Sequence, residues 1–206
     1  PRSTLFPYTT LFRSENISFY IPVGHKNIKG LNKDFVVKKL KPILEDPSIK
    51  KVGQNIKYDF IIFKKYGIEL NPVEDTMLLS YTLDAGNNRH NMDTLSELHL
   101  NHKTISYKDL VGSGKKQLKF SEVDIDKATE YAAEDADVTL RLYEILSERV
   151  SDEKLSQIYE AFEKPMIKIL SKLETYGIKV DDNYLKELSK KFEIGRAHVW
   201  TPVTTR

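Results

Sequence analysis

The sequence predicts an α/β fold that gives way to a run of helices. Through the first third of the chain, short β-branched stretches alternate with segments of helical apolar spacing, the pattern of strands and helices packed in layers. From Asp124 onward helical spacing dominates. With 206 residues, 40% of them apolar and 30% charged, the chain can bury the core of one or two domains. It has no run of 18 apolar residues and no secretory start, which sets aside membrane-spanning and exported classes. Having no cysteine, it can build neither disulfides nor cysteine zinc sites. A soluble protein of the cytoplasm is expected, with no membrane partner.

The elements follow in order. Ile17 to Val23 (ISFYIPV) is β-branched and aromatic, and reads as a strand ended near Gly24. Asn32 can cap a helix with Phe35, Val36, Lys39, Leu40 and Ile43 at helical spacing, which Pro42 should kink or end early. Ile49 to Gly53 is a short strand. Asn55 starts a helix to Tyr66 that Gly67 stops. Asp75 suits the N-cap of a helix through Leu83, and Asp93 that of a shorter one through Leu98. Residues 103–121 read as loop. A long helix is expected from Asp124 to Val150, and another from Asp152 to Tyr176 with Pro165 inside. A strand at Ile178 to Val180 and a helix from Asp182 complete the reading. The break near Ser151 and Asp152 is the expected domain boundary, with residues 15–150 before it and 151–193 after.

The two ends stand apart. Against 32 basic and 30 acidic residues in all, residues 1–14 and 194–206 hold four arginines and no acid, which leaves residues 15–193 at −2. Global charge therefore carries no message about nucleic acid. Thr-Leu-Phe occurs twice in residues 1–14, and Trp200, the one tryptophan, lies in the last stretch. Leu11 to Ser14 and Ile194 to Val199 resemble translated sequencing-adaptor text, so both ends are expected to be non-native, and the natural chain to begin upstream of Glu15.

Chemistry is signalled by acids at apolar positions. Tyr131, Asp135, Val138, Leu142 and Ile145 share one face of the long helix, while Glu130, Glu134, Asp137, Arg141 and Glu144 fall on its solvated side. Asp135 thus points inward, where a carboxylate needs a cation, a metal or several donors. A structural acid bonded to a backbone amide or lysine is the competing reading. Asp59 repeats the pattern among Ile56, Phe60, Ile62 and Phe63, just past the carboxyl end of a strand, where α/β folds place ligands. Oxygen donors without cysteine or histidine suit Mg²⁺ or Mn²⁺, and so phosphoryl chemistry. Other signals are weaker. His25, His90, His99 and His102 have no shared ligand spacing. Gly112 to Lys116 lacks the phosphate-loop spacing and reads as a basic loop. Arg89 and His90 follow a turn and could meet a backbone phosphate.

Gln54-Asn55-Ile56-Lys57-Tyr58-Asp59 and Tyr131-Ala132-Ala133-Glu134-Asp135 resemble the second and third motifs of the DEDDy proofreading exonucleases. Asp75-Thr76-Met77-Leu78, Arg89-His90-Asn91-Met92-Asp93 and Ala133 to Leu140 are similar to the 3′–5′ exonuclease domain of the bacterial DNA polymerase I family. Glu163-Lys164-Pro165-Met166 and Glu174 to Asp181 resemble the opening of the polymerase domain in the same family. The resemblance implies a ribonuclease-H-like mixed sheet with flanking helices and a two-metal removal of the 3′-terminal nucleotide of DNA. It implies two Mg²⁺ or Mn²⁺ ions, with Asp135 and Asp59 as metal ligands and Tyr131 orienting the attacking water. Gln54, Asn55, Tyr58 and Arg89 would bind the frayed, single-stranded 3′ end. The implied partners are that DNA end and the rest of a polymerase chain in cis.

The family takes its first two acids from a D-x-E on its first strand, and no such motif precedes Asp59. Residues 17–23 match the family's third strand, so the first two strands are expected to be missing, the Ile17 strand to lack its partner, and this chain to have at most a trace of nuclease activity. Two alternatives remain: a ribonuclease D-like exoribonuclease, which shares the Tyr-x-x-x-Asp motif, and a non-catalytic domain that positions DNA or braces a polymerase.

Overall fold

The computed structural model describes residues 8–14, 17–26, 28–114 and 117–199, with side chains from 18 to 193 within those ranges. Lys115 and Lys116 of the basic loop, and the outermost adaptor-like residues, lie outside the described residues. Packing divides the chain into two units, Pro1–Lys172 and Leu173–Arg206. In the first, four strands form two separate two-stranded sheets: β1 (Tyr8–Ser14) pairs antiparallel with β2 (Ile17–Pro22), and β3 (Lys51–Gly53) pairs parallel with β4 (Val73–Asp75). Among the described residues no strand joins the two sheets.

Helix α1 (Lys33–Glu45) starts where Asn32 accepts from the Phe35 amide at 3.0 Å, a side-chain N-cap. It runs through Pro42, correcting the expected early stop, because the proline sits in the last turn and its missing N–H leaves only one carbonyl unpaired. The buried stripe is Val36, Leu40 and Leu44, while Phe35 and Ile43 of the expected face are exposed. That stripe meets Ile56 and Phe60 of α2 (Ile56–Lys65), together with Ile68, Leu70, Val73 and Ile167. Gly67, at φ 69°, closes α2 as expected.

Helices α3 (Thr76–Asp84) and α4 (Met92–Leu100) pack on α6 (Ile125–Asp152). Leu79, Leu95, Val138, Leu142, Leu146 and Val150 form this second core. α6 also packs against β1, β2 and β3, so it backs both sheets. Its cap is Asp124, which accepts from the Asp126 and Lys127 amides.

Several expectations are corrected. The β4 strand was not anticipated, since three residues give no alternation to read. Asn91, not Asp93, precedes α4, and Asp93 instead accepts from the Thr104 hydroxyl at 2.7 Å. The expected 103–121 loop contains α5 (Tyr107–Val111) and a 3₁₀ turn (Phe120–Glu122), around a small core of Val111, Phe120, Val123 and Ala128. The expected Asp152–Tyr176 helix is three pieces: α7 (Ser156–Ile158), a π-helical turn (Tyr159–Glu163) and α8 (Lys164–Tyr176). The strand at Ile17, expected to lack its partner, has one, because Tyr8–Ser14 forms β1 beside it. Sheet pairing uses backbone groups that every residue except proline carries in full, and a run of Tyr, Thr, Leu and Phe suits a strand.

The second unit holds the last turn of α8 and α9 (Asp182–Val199). Asp181 accepts from the Asn183 and Tyr184 amides and caps α9. Ile178 to Val180 is not a strand: it has no ladder to join, and Ile178 is 93% exposed. No helix among the described residues is long and apolar enough to cross a membrane.

Candidate active site

The first group of candidate residues is built where β3 turns into α2. Gly53 ends the strand, and a Cβ there would stand 2.9 Å from the Ile56 side chain, so only glycine lets the helix begin this close. Asn55 takes the left-handed conformation, φ 56°, which asparagine tolerates better than most residues. Its side chain does not cap the helix. That task falls to Asp75, which is 2% exposed and accepts from the Asn55 amide on Oδ1 and the Ile56 amide on Oδ2, both at 2.9 Å. Asp75 Oδ1 also accepts from the Met77 amide at 2.9 Å, so one carboxylate caps α2 and α3 together. The expected N-cap of α3 is therefore present, and its second role, 20 residues away in sequence, leaves no local signal.

Gln54 spends both ends of its amide inside the protein. Its Nε2 donates to the His90 carbonyl at 2.8 Å and its Oε1 accepts from the Thr76 hydroxyl. It thereby ties the 89–91 turn to the start of α2. Exposed Arg89 lines, with His90, Asn91, Met77, Tyr81 and Glu163, an open cleft of about 670 Å³. Asn55 and Tyr58 are exposed on the first turn of α2. Asp59 is exposed at the end of that turn, so the inward placement expected from its apolar neighbours is corrected: the buried face of α2 is Ile56 and Phe60, and Asp59 lies beside it. Desolvation by the surrounding protein, then the nearby Asp75 charge, push its carboxyl up to about 7.

The second group lies on α6. Asp135 is mostly buried, and its Oδ1 has no hydrogen-bond partner. Burial pushes its carboxyl up to about 7; a hydrogen bond from Tyr131 pulls the other way, and the Glu134 and Asp93 charges add to the rise. Tyr131, one turn earlier, packs its ring 6.1 Å from both Tyr107 and Phe120. The buried stripe of α6 is Ala128, Ala132, Val138, Leu142, Leu146 and Val150, with Ile145 only half-buried.

Glu134 departs from its expected place on the solvated side. Its Oε1 pairs with His102 Nε2 at 2.8 Å and its Oε2 accepts from the Ile105 amide at 2.7 Å, which fastens the segment leading to Tyr107. The helical period could not find this role, because the partner is a loop that wraps the polar side of α6. Of the other histidines, His25 is buried against Tyr20 and Phe120, and His90 Nδ1 meets the Ser80 hydroxyl at 2.9 Å.

The unpartnered Asp135 oxygen and the oxygen-only donors fit a hard cation in kind. They do not complete a site: among the described residues no three His, Asp or Glu side chains gather to hold a metal.

A family profile described as 3′–5′ exonuclease matches residues 11–151. The DNA polymerase I of Rhizobium leguminosarum is 46% identical over 191 residues, covering 87% of this chain and 19% of that protein. That of Pseudomonas aeruginosa is 40% identical over 188 residues, covering 86% and 21%. The chain thus spans about a fifth of the length of these relatives. Among solved structures, the POL domain of Pol1 from M. smegmatis, in complex with DNA primer-template and dNTP, matches with a TM-score of 0.64 at 20% identity, over 86% of this chain and 27% of that one. NrnC of Brucella melitensis bound to pGG matches with a TM-score of 0.62 at 21% identity, over 85% and 79%. These two likenesses carry the fold, a mixed α/β architecture with flanking helices.

Proposed function

From the premise that this chain belongs to the 3′–5′ exonuclease family, we propose that it is part of a bacterial DNA polymerase I and serves there to remove the 3′-terminal nucleotide of DNA. The rest of the polymerase, in cis, would be its partner and the bacterial cytoplasm its place of work. Residues 15–150 would be the exonuclease domain and 151–193 the start of the polymerase domain. The observation that carries the reading is the inward Asp135 oxygen with no protein partner, one helical turn from Tyr131. A buried carboxylate left so costs free energy unless a cation answers it.

Asp135 and Asp59 would hold Mg²⁺ or Mn²⁺, two ions in a complete site. Bound there, such ions supply charge to the attacking and leaving oxygens of phosphoryl transfer. The protein's own contributions follow from the two neighbourhoods. Tyr131, braced between Tyr107 and Phe120, would orient a water through its hydroxyl. Asn55, Tyr58 and Arg89 would hold the frayed strand end, and Gln54 would act beside them by holding the Arg89 turn in place. With both carboxyls pushed up to about 7, a bound cation would favour their charged form.

The described residues supply no cluster of three acids, so this chain alone is expected to release at most a trace of nucleotide. Incubation of labelled single-stranded DNA with Mg²⁺ tests this. A chain extended upstream by a D-x-E strand should cleave from the 3′ end and lose that activity on Asp135→Ala. Preference for RNA over DNA would favour a ribonuclease D-like enzyme. Failure of the extended chain to bind Mn²⁺ would favour a non-catalytic domain.

A further inference from the structure

Behind the Asp59 helix lies a buried polar network that the proposed chemistry does not use. Glu74 is 6% exposed and Tyr159 3% exposed, and they come from β4 and the π-helical turn. The Tyr159 hydroxyl donates to Glu74 Oε2 at 2.9 Å and accepts from the Asp75 amide at 3.1 Å. Lys164 Nζ donates to Glu74 Oε1 at 2.8 Å and to Glu160 at 3.0 and 3.1 Å. A glutamate this buried is costly without such partners. The next residue, Asp75, is the carboxylate that caps α2 through the Asn55 and Ile56 amides.

A π-helical turn is a rare element that recurs where a side chain must be aimed. Here it supplies Tyr159, whose hydroxyl reaches two successive residues of β4, while Lys164 just after it neutralises Glu74. Each bond fixes the next: Tyr159 holds the Asp75 backbone, and the Asp75 side chain holds the first turn of α2. We propose that Tyr159 and Glu74 are positioning residues, which act through Asp75 to set the first turn of α2 and so the placement of Asn55, Tyr58 and Asp59. The purpose of that placement rests on the exonuclease reading; the placement itself does not.

The test is amide hydrogen exchange on the 206-residue chain, read by NMR, with Tyr159→Phe. The variant keeps the ring in its core and removes only the hydroxyl. Exchange at Asn55 and Ile56 is expected to speed up at least tenfold, while Leu142 and Leu146 in α6 change less than twofold. A general loss of stability would speed all four alike, and that result, or no change at Asn55 and Ile56, overturns the proposal. Glu74→Gln keeps an acceptor for Tyr159 and should leave Asn55 and Ile56 within threefold of the parent chain. Loosening there as large as in Tyr159→Phe would assign the effect to the Lys164 ion pair and overturn the role given to the hydroxyl. Broadening of the Asp59 and Asp135 amide signals by Mn²⁺ added to the chain extended upstream by a D-x-E strand separately tests the exonuclease reading. If Mn²⁺ leaves both signals sharp, that reading fails while the exchange result still decides the positioning role.

Discussion

Helix α2 is ten residues long and its first turn is capped from outside, by the Asp75 carboxylate. Helix α6 runs for 28 residues, carries its own cap in Asp124, and buries six residues along one stripe. Each bears one candidate metal ligand. A short helix gains little from its own cooperativity and depends on polar fixtures, whereas a long one is held by packing. The difference teaches where each site residue is vulnerable: Asp59 through distant hydrogen bonds, Asp135 through the apolar side chains beside it.

Four measurements bear on that contrast. Asp75→Ala takes the acceptor from three backbone amides, and a loss of about 4 kcal/mol in urea unfolding is expected. A loss below 1 kcal/mol would mean that α2 stands without its outside cap. Leu142→Ala opens a cavity in the fully buried stripe of α6 and should cost about 3 kcal/mol by the same assay. Glu134→Ala frees the Ile105 amide and His102, and about 2 kcal/mol with faster exchange at Ile105 is expected. If Ile105 stays protected, the loop is held by packing instead.

The smallest effect is one of pH. A carboxyl whose pKa rises on folding binds its proton more tightly in the folded chain. The Asp135 carboxyl, pushed up to about 7, therefore favours folding fully below its unfolded value near pH 4, and that contribution is lost as pH climbs to 7. In metal-free buffer, Asp135→Asn should melt with the parent chain at pH 4 and several degrees above it at pH 8. Parallel melting curves would mean that Asp135 meets water and not a buried setting. Asp59→Asn should give the same trend more weakly, because Asp59 is exposed and solvent screens its charge.

Much of this contrast was legible in the residues. The inward placement of Asp135 follows from its spacing to Val138 and Leu142, because a helix of this length repeats its period often enough to be read. Asp59 stood out as the sole acid among Ile56, Phe60 and Phe63. Asn32 and Asp75 each announce a helix start by local chemistry, whereas Asp93, read the same way, bonds Thr104 instead. The hidden parts depend on contacts between residues remote in sequence. Asp75 serves α2 from 20 residues away, Glu134 serves a loop 29 residues before it, and Tyr159 reaches Glu74 across 85. Short elements such as β4 and α5 escape because three to five residues do not repeat their period. The pairing of Tyr8–Ser14 with the Ile17 strand is made by backbone groups, which the side-chain pattern does not reveal.

Because one Asp75 carboxylate caps both α2 and α3, those helices have lost a degree of freedom relative to each other. Neither can tilt without dragging the shared carboxylate out of register with the other. Asparagine offers one acceptor oxygen and serine one, so neither substitute can satisfy three amides on two oxygens. Random drift at this position is therefore closed in nearly every direction. The joint works as a rivet between two parts, and sequence change must proceed around it.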